Sequence, residues 1–186
     1  MIDYTDSIAA YFEKEKRTLD LIDKASLSQL INLLEQAREE GRSIFIMGNG
    51  GSGATASHFC CDFNKGISLS KEKRYRMICL NDNMATLMAY ANDISYDEVF
   101  VGLLQNYFTP GDVVIGISGS GNSANVVRAI QWADEHDGIT VGLTGYDGGK
   151  LKKMARYGVH VPVDDMQVAE DMHMIFGHCI MRMLCQ

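Results

Sequence analysis

The chain has 186 residues, 46% apolar and 22% charged, which suits one compact domain with a real core. Its formal net charge of −7 argues against broad binding to nucleic acid or acidic membranes. The acidic N-terminus, MIDYTDSIAAYFEKEK, lacks the apolar run of a membrane span or secretory leader, and five cysteines without a C-x-x-C pair fit reduced thiols in the cytoplasm.

Only two prolines occur and no Gly/Ser linker divides the sequence, so residues 1–186 read as a single domain. Apolar positions predict a helix over residues 4–22 and a second over 27–40, stopped by Gly41. Both precede the first strand and lie outside the pattern that follows. From residue 43 short apolar runs alternate with helices. Strands are expected at 43–47, 76–80, 113–117, 139–143 and 159–163. Helices are expected after the glycine-rich loop at 48, from about 83, through Trp132, over 149–156 and from 166 to 184. This alternation specifies an α/β fold, a three-layer sandwich with a five-stranded parallel sheet covered on both faces. Such sheets bind ligands at the carboxyl ends of their strands. The basic cluster Lys71, Lys73, Arg74 and Arg76 reads as a solvated loop, and the methionines of 166–183 as core or subunit interface.

Two glycine-serine loops follow predicted strands directly, 48-GNGGSG-53 and 118-SGSGNS-123, and each opens a helix. Glycine permits close backbone approach and positive φ. A helix N-terminus offers free N–H groups that suit a phosphate. The first loop matches G-x-G-x-x-G by spacing, but the acidic residue a dinucleotide fold needs after the second strand is missing, and neither loop is a Walker A sequence. Two such loops at one end of a sheet favour a phosphate-bearing ligand over plain tight turns. Ser123 serves either the ligand or the next helix as its N-cap.

His58 and Asp62 stand at i and i+4, on one helix face. The last helix offers Glu170 and His178, eight residues apart and about 80° around its axis. Two histidines and two carboxylates suit a tetrahedral zinc-type site. The same groups suit proton transfer in an aldose–ketose isomerisation, for which Asp62 and His178 have the chemistry. Asn92 and Asp93, expected in a loop after a helix, either bind sugar hydroxyls or cap.

The segments 48-GNGGS-52, HF at 58–59, 80-LNDNMATLMAYANDISYDEVF-100, 111-GDVVIGISGSGNSANVV-127, 141-VGLTG-145 with 148-GGKL-151, and GH at 177–178 resemble the sugar isomerase (SIS) domain family, and within it the phosphoheptose isomerases. The resemblance spans nearly the whole chain. It implies a flavodoxin-like sheet and a cytoplasmic homotetramer with active sites between subunits, the helices of 1–41 packing in the oligomer core. It implies conversion of sedoheptulose 7-phosphate to D-glycero-D-manno-heptose 7-phosphate. Substrate contacts carry onto Asn49, Gly50, Gly51, Ser52, Asn92, Asp93, Ser118, Gly119, Ser120 and Ser123, with Glu170 beside them. A zinc site carries onto His58, Asp62, Glu170 and His178.

Two positions depart from the family pattern, which has Glu at 62 and Gln at 170. Asp62 is one methylene shorter, a retreat of about 1–1.5 Å. Glu170 adds a negative charge, which a cation or a proton would balance. A different reading is a non-catalytic SIS protein that binds a phosphosugar or associates with a replication initiator. The four potential ligands at one site favour the enzyme.

Overall fold

The computed structural model describes residues 2–185. Two helices open the chain, α1 (Thr5–Leu21) and α2 (Lys24–Glu39). Helix α2 starts three residues before its apolar pattern does, because Asp23 caps it by accepting from the Ala25 N–H. The rest alternates: β1 (Ser43–Gly48), α3 (Gly51–Cys61), β2 (Arg76–Cys79), α4 (Met84–Asp93), α5 (Val99–Tyr107), β3 (Val113–Ser118), α6 (Ala124–Glu135), β4 (Ile139–Thr144), α7 (Gly149–Met154), β5 (Tyr157–His160) and α8 (Met166–Leu184).

The five strands are all parallel, in the order β2-β1-β3-β4-β5. Each face is covered. Ile44 and Ile46 of β1 join a core with α2, α3 and α8, whereas Phe45 and Met47 join one with α5, α6 and α7. Alternate residues of one strand therefore serve two helical layers. The strand order reverses between β1 and β3, so a crevice opens at their carboxyl ends.

Other expected boundaries shift as well. Strand β5 occupies 157–160 rather than 159–163: Pro162 has no N–H to give the ladder, and the pairing begins earlier, at Tyr157 with Val141. Strand β2 ends at Cys79, although the Leu80 N–H still reaches the Ile46 carbonyl at 2.9 Å. The helix expected from 83 is two helices, α4 and α5, separated by a 3₁₀ turn at Tyr96–Glu98. Asn92 and Asp93 consequently lie in the last turn of α4 and not in a loop.

Candidate active site

The two glycine-serine loops meet at the crevice between β1 and β3. Gly50, at φ +54°, turns the chain from β1 into α3, a conformation that L side chains rarely adopt. The Asn81 amide clamps the end of β1, donating to the Gly48 carbonyl at 2.7 Å and accepting from its N–H at 3.2 Å. In the second loop Ser123 holds the N-cap position of α6, yet its hydroxyl caps nothing. It faces the buried Ser118 hydroxyl at 3.0 Å instead.

Between the loops lies a cavity of about 300 Å³. Asn49, Gly50, Gly51 and Ser52 line one side and Ser118, Gly119, Ser120 and Ser123 the other, with Glu170 on the wall. Helix α3 starts at this cavity, and α6 starts beside it. Hydroxyls and helix N-termini facing one small space form an anion cradle. Asn92 and Asp93 are exposed and outside this lining, and the Asn92 amide donates to Asp93 at 2.7 Å.

Further along α3 a second cluster forms. His58 Nε2 lies 2.9 Å from His178 Nε2, and Asp62 Oδ2 lies 3.3 Å from the first and 3.9 Å from the second. These three residues place their ligand atoms within 4.8 Å of one another. Glu170 is not in that group. Its carboxylate packs on Gly51, where a Cβ would come within 2.5–2.8 Å of it.

Helices α3 and α8 therefore run side by side in the same direction. Glu170 meets Gly51 at their starts, and His178 meets His58 about two turns on. Gly177 permits this approach: the Phe59 ring occupies the space a side chain there would need. Asp62 begins a π-helical stretch, Asp62–Ile67, a local widening that recurs at functional sites.

The triplet fits a divalent metal ion. The Asp62 carboxylate is 14% exposed, and its Oδ2 is buried without a hydrogen-bond partner. Both imidazoles bring Nε2 to within 4 Å of this oxygen. Tetrahedral zinc with bonds of about 2.1 Å holds its ligands about 3.4 Å apart, and the three observed separations bracket that spacing.

Sequence reading missed three side chains around the first loop. They are Asn81, the fully buried Asn125 and Tyr96, the last two of which hydrogen-bond the Asn49 amide. Tyr96 and Asn125 stand in the quoted motif segments, but they lie 47 and 76 positions from Asn49 in sequence. No local spacing reports such contacts.

A parallel five-stranded sheet with serine loops at its switch point is an α/β arrangement suited to a phosphate-bearing ligand. The SIS domain model matches residues 3–145, and the chain belongs to the SIS-domain family. It is 36% identical to the phosphoheptose isomerase of Helicobacter pylori over 171 residues, 92% of this chain and 88% of that one. It is 34% identical to the probable phosphoheptose isomerase of Thermoplasma acidophilum, over 94% of this chain and 95% of that one. The solved structure of the phosphoheptose isomerase from Neisseria gonorrhoeae superposes with a TM-score of 0.89 at 29% identity, covering 98% of each chain.

Proposed function

We propose that this chain is a phosphoheptose isomerase that converts sedoheptulose 7-phosphate to D-glycero-D-manno-heptose 7-phosphate. The observation that carries the reading is the arrangement along α3. Its first turn lines the anion cradle, and its His58, with Asp62 just past its end, stands in the cluster with His178. Ser52 and His58 are six residues apart, about 9 Å of helix. An extended seven-carbon sugar phosphate has the reach to set its phosphate among Ser52, Ser118, Ser120 and Ser123 and its carbonyl end at the cluster.

Ketose-to-aldose conversion removes a proton from C1 and returns one to C2 while the carbonyl moves from C2 to C1. Asp62 is the base in this reading, and His178 serves the oxygens. Glu170 and Asn49 orient the sugar chain, with Gly50, Gly51 and Gly119 giving close backbone approach. His58, Asp62 and His178 would hold a divalent ion such as zinc, while Glu170 stays at the cavity wall. When bound, the ion would polarise sugar oxygens as a Lewis acid.

The same reading makes the protein a cytoplasmic homotetramer. Tyr4, Ile8, Phe12 and Leu19 form an exposed apolar stripe on α1, which supports packing of that helix in an oligomer core. All five cysteines are free, which fits a reducing compartment. Among the described residues no helix is long and apolar enough to cross a membrane. Asn92 and Asp93, exposed and outside the lining of the cradle in their own chain, would reach sugar across a subunit boundary.

The test is turnover of sedoheptulose 7-phosphate followed by NMR of the aldose product, with zinc and with chelator. Conversion that zinc supports is expected. A folded protein that converts none under either condition would overturn the reading and favour a phosphosugar-binding role without turnover.

A further inference from the structure

The Val126 backbone N–H donates to Asn125 Oδ1 at 2.9 Å. A backbone N–H can only donate, so it identifies which end of the Asn125 amide is oxygen. Asn125 is 1% exposed, and its amide has one way to lie. Its Nδ2 then donates to Asn49 Oδ1 at 2.8 Å, and Asn49 Nδ2 donates back to Asn125 Oδ1 at 2.9 Å. Tyr96 completes the set. Its hydroxyl lies 2.9 Å from Asn49 Oδ1, and because that oxygen can only accept, the phenol donates.

The inventory of the Asn49 amide follows. The oxygen has two lone pairs, both occupied, by Tyr96 and by Asn125. The nitrogen has two hydrogens, one occupied, by Asn125. A single N–H is left over, and Asn49 borders the cavity between the serine loops.

We propose that Asn49 acts on the bound phosphosugar solely as a one-hydrogen donor, to a sugar oxygen, and that Tyr96 and Asn125 are the positioning residues that hold it in that orientation. The proposal rests on the phosphosugar reading of the cavity. Left alone, an asparagine amide presents either end to a ligand. Here the backbone of α6 fixes Asn125, Asn125 fixes Asn49, and the Tyr96 hydroxyl closes off the remaining acceptor site. Such pre-orientation lets the site present a donor without reordering on binding.

Two measurements test this. The first needs no substrate: hydrogen exchange of the Asn49 side-chain amide in ¹⁵N-labelled protein, assigned through its loss in Asn49→Asp. One slowly and one rapidly exchanging hydrogen are expected, with both rapid in Asn125→Ala. Two equally rapid hydrogens in the unmodified protein would overturn the proposal. The second is a double-mutant cycle on kcat/KM for sedoheptulose 7-phosphate. Tyr96→Phe, a change of one hydroxyl at an exposed position, is expected to cost about tenfold in the otherwise unmodified enzyme and less than twofold in Asn49→Ala. An equal loss in both backgrounds, or none in either, would show that Tyr96 does not act through Asn49. Absence of any turnover in the unmodified protein would remove the isomerase reading, whereas the amide exchange would still decide the orientation.

Discussion

His58 and His178 face each other through their Nε2 atoms across 2.9 Å, from two helices held together where Phe59 packs on Gly177. Only one hydrogen fits between two ring nitrogens at that distance, and the buried Asp62 Oδ2 beside them has no hydrogen-bond partner. A divalent ion satisfies all three at once. Protein purified without chelator is therefore expected to carry about one ion per chain by elemental analysis. His58→Ala and His178→Ala should each lose most of it. Asp62→Glu should keep it, because the longer carboxylate still reaches the same point. Unchanged metal content in both alanine variants would exclude this triplet as the site.

Gly51 and Glu170 provide a steric handle on the same region. A Cβ at Gly51 would overlap the Glu170 carboxylate, whose far end must then move by about 1 Å. Gly51 has no left-handed φ, so Gly51→Ala carries no backbone strain there. The expected outcome is a loss of about a hundredfold in kcat/KM with little change in the unfolding midpoint. Glu170→Gln tests charge without displacing anything, and comparison of the two separates position from ionisation. Full activity in Gly51→Ala would show that the placement of Glu170 is unimportant to turnover.

Much of this fold was legible because strand and helix signals are local. Runs such as Ile44–Met47 and Val113–Ile117 are too short for helices and too apolar for loops. The misread edges are places where a distant partner decides. Tyr157 and Gly158 are exposed and polar in pattern, yet they pair with Val141 and Gly142 at the sheet edge. The His58–Asp62 pair was readable from its four-residue spacing. That Glu170 lies against Gly51, apart from the histidine pair, was not, because eight residues of helix state a face but not what it meets. The Asn49–Asn125 contact joins the loop after β1 to the first turn of α6, and only tertiary packing creates it.

The serine hydroxyls make a separate prediction. Ser118 and Ser123 lie 3.0 Å apart at the cradle, and the Ser123 hydroxyl accepts no backbone N–H as a cap. A hydrogen bond to a charged ligand contributes about 1.5–3 kcal/mol. Ser118→Ala and Ser123→Ala are thus each expected to raise KM by about tenfold or more while kcat falls less. Inorganic phosphate should compete with substrate in the unmodified enzyme and weaken in parallel. A fall in kcat alone, with KM and phosphate competition unchanged, would remove the phosphate from these serines.

His173 gives the fold an acid sensitivity that can be calculated in sign. It lies on α8, 1% exposed, with both ring nitrogens lacking a hydrogen-bond partner. Burial pushes its pKa down to about 4, and a positive His160 would push the same way; the Thr144 backbone approaches the ring and opposes this without completing a hydrogen bond. An unfolded histidine titrates near 6.5. The unfolded chain therefore binds this proton first, and the folded state loses stability as pH falls from about 6.5 towards 4. Between pH 7.5 and pH 5 the loss from this residue is about 2 kcal/mol. His173→Leu has similar volume and nothing to protonate. It should raise stability by about 1 kcal/mol at pH 7.5, because no polar atom is left unpaired, and by more at pH 5. Urea unfolding of both proteins at the two pH values checks this, since every other titrating group cancels in the difference. Parallel pH dependence in the two proteins would mean that the folded chain accepts a proton at His173 as readily as the unfolded one does.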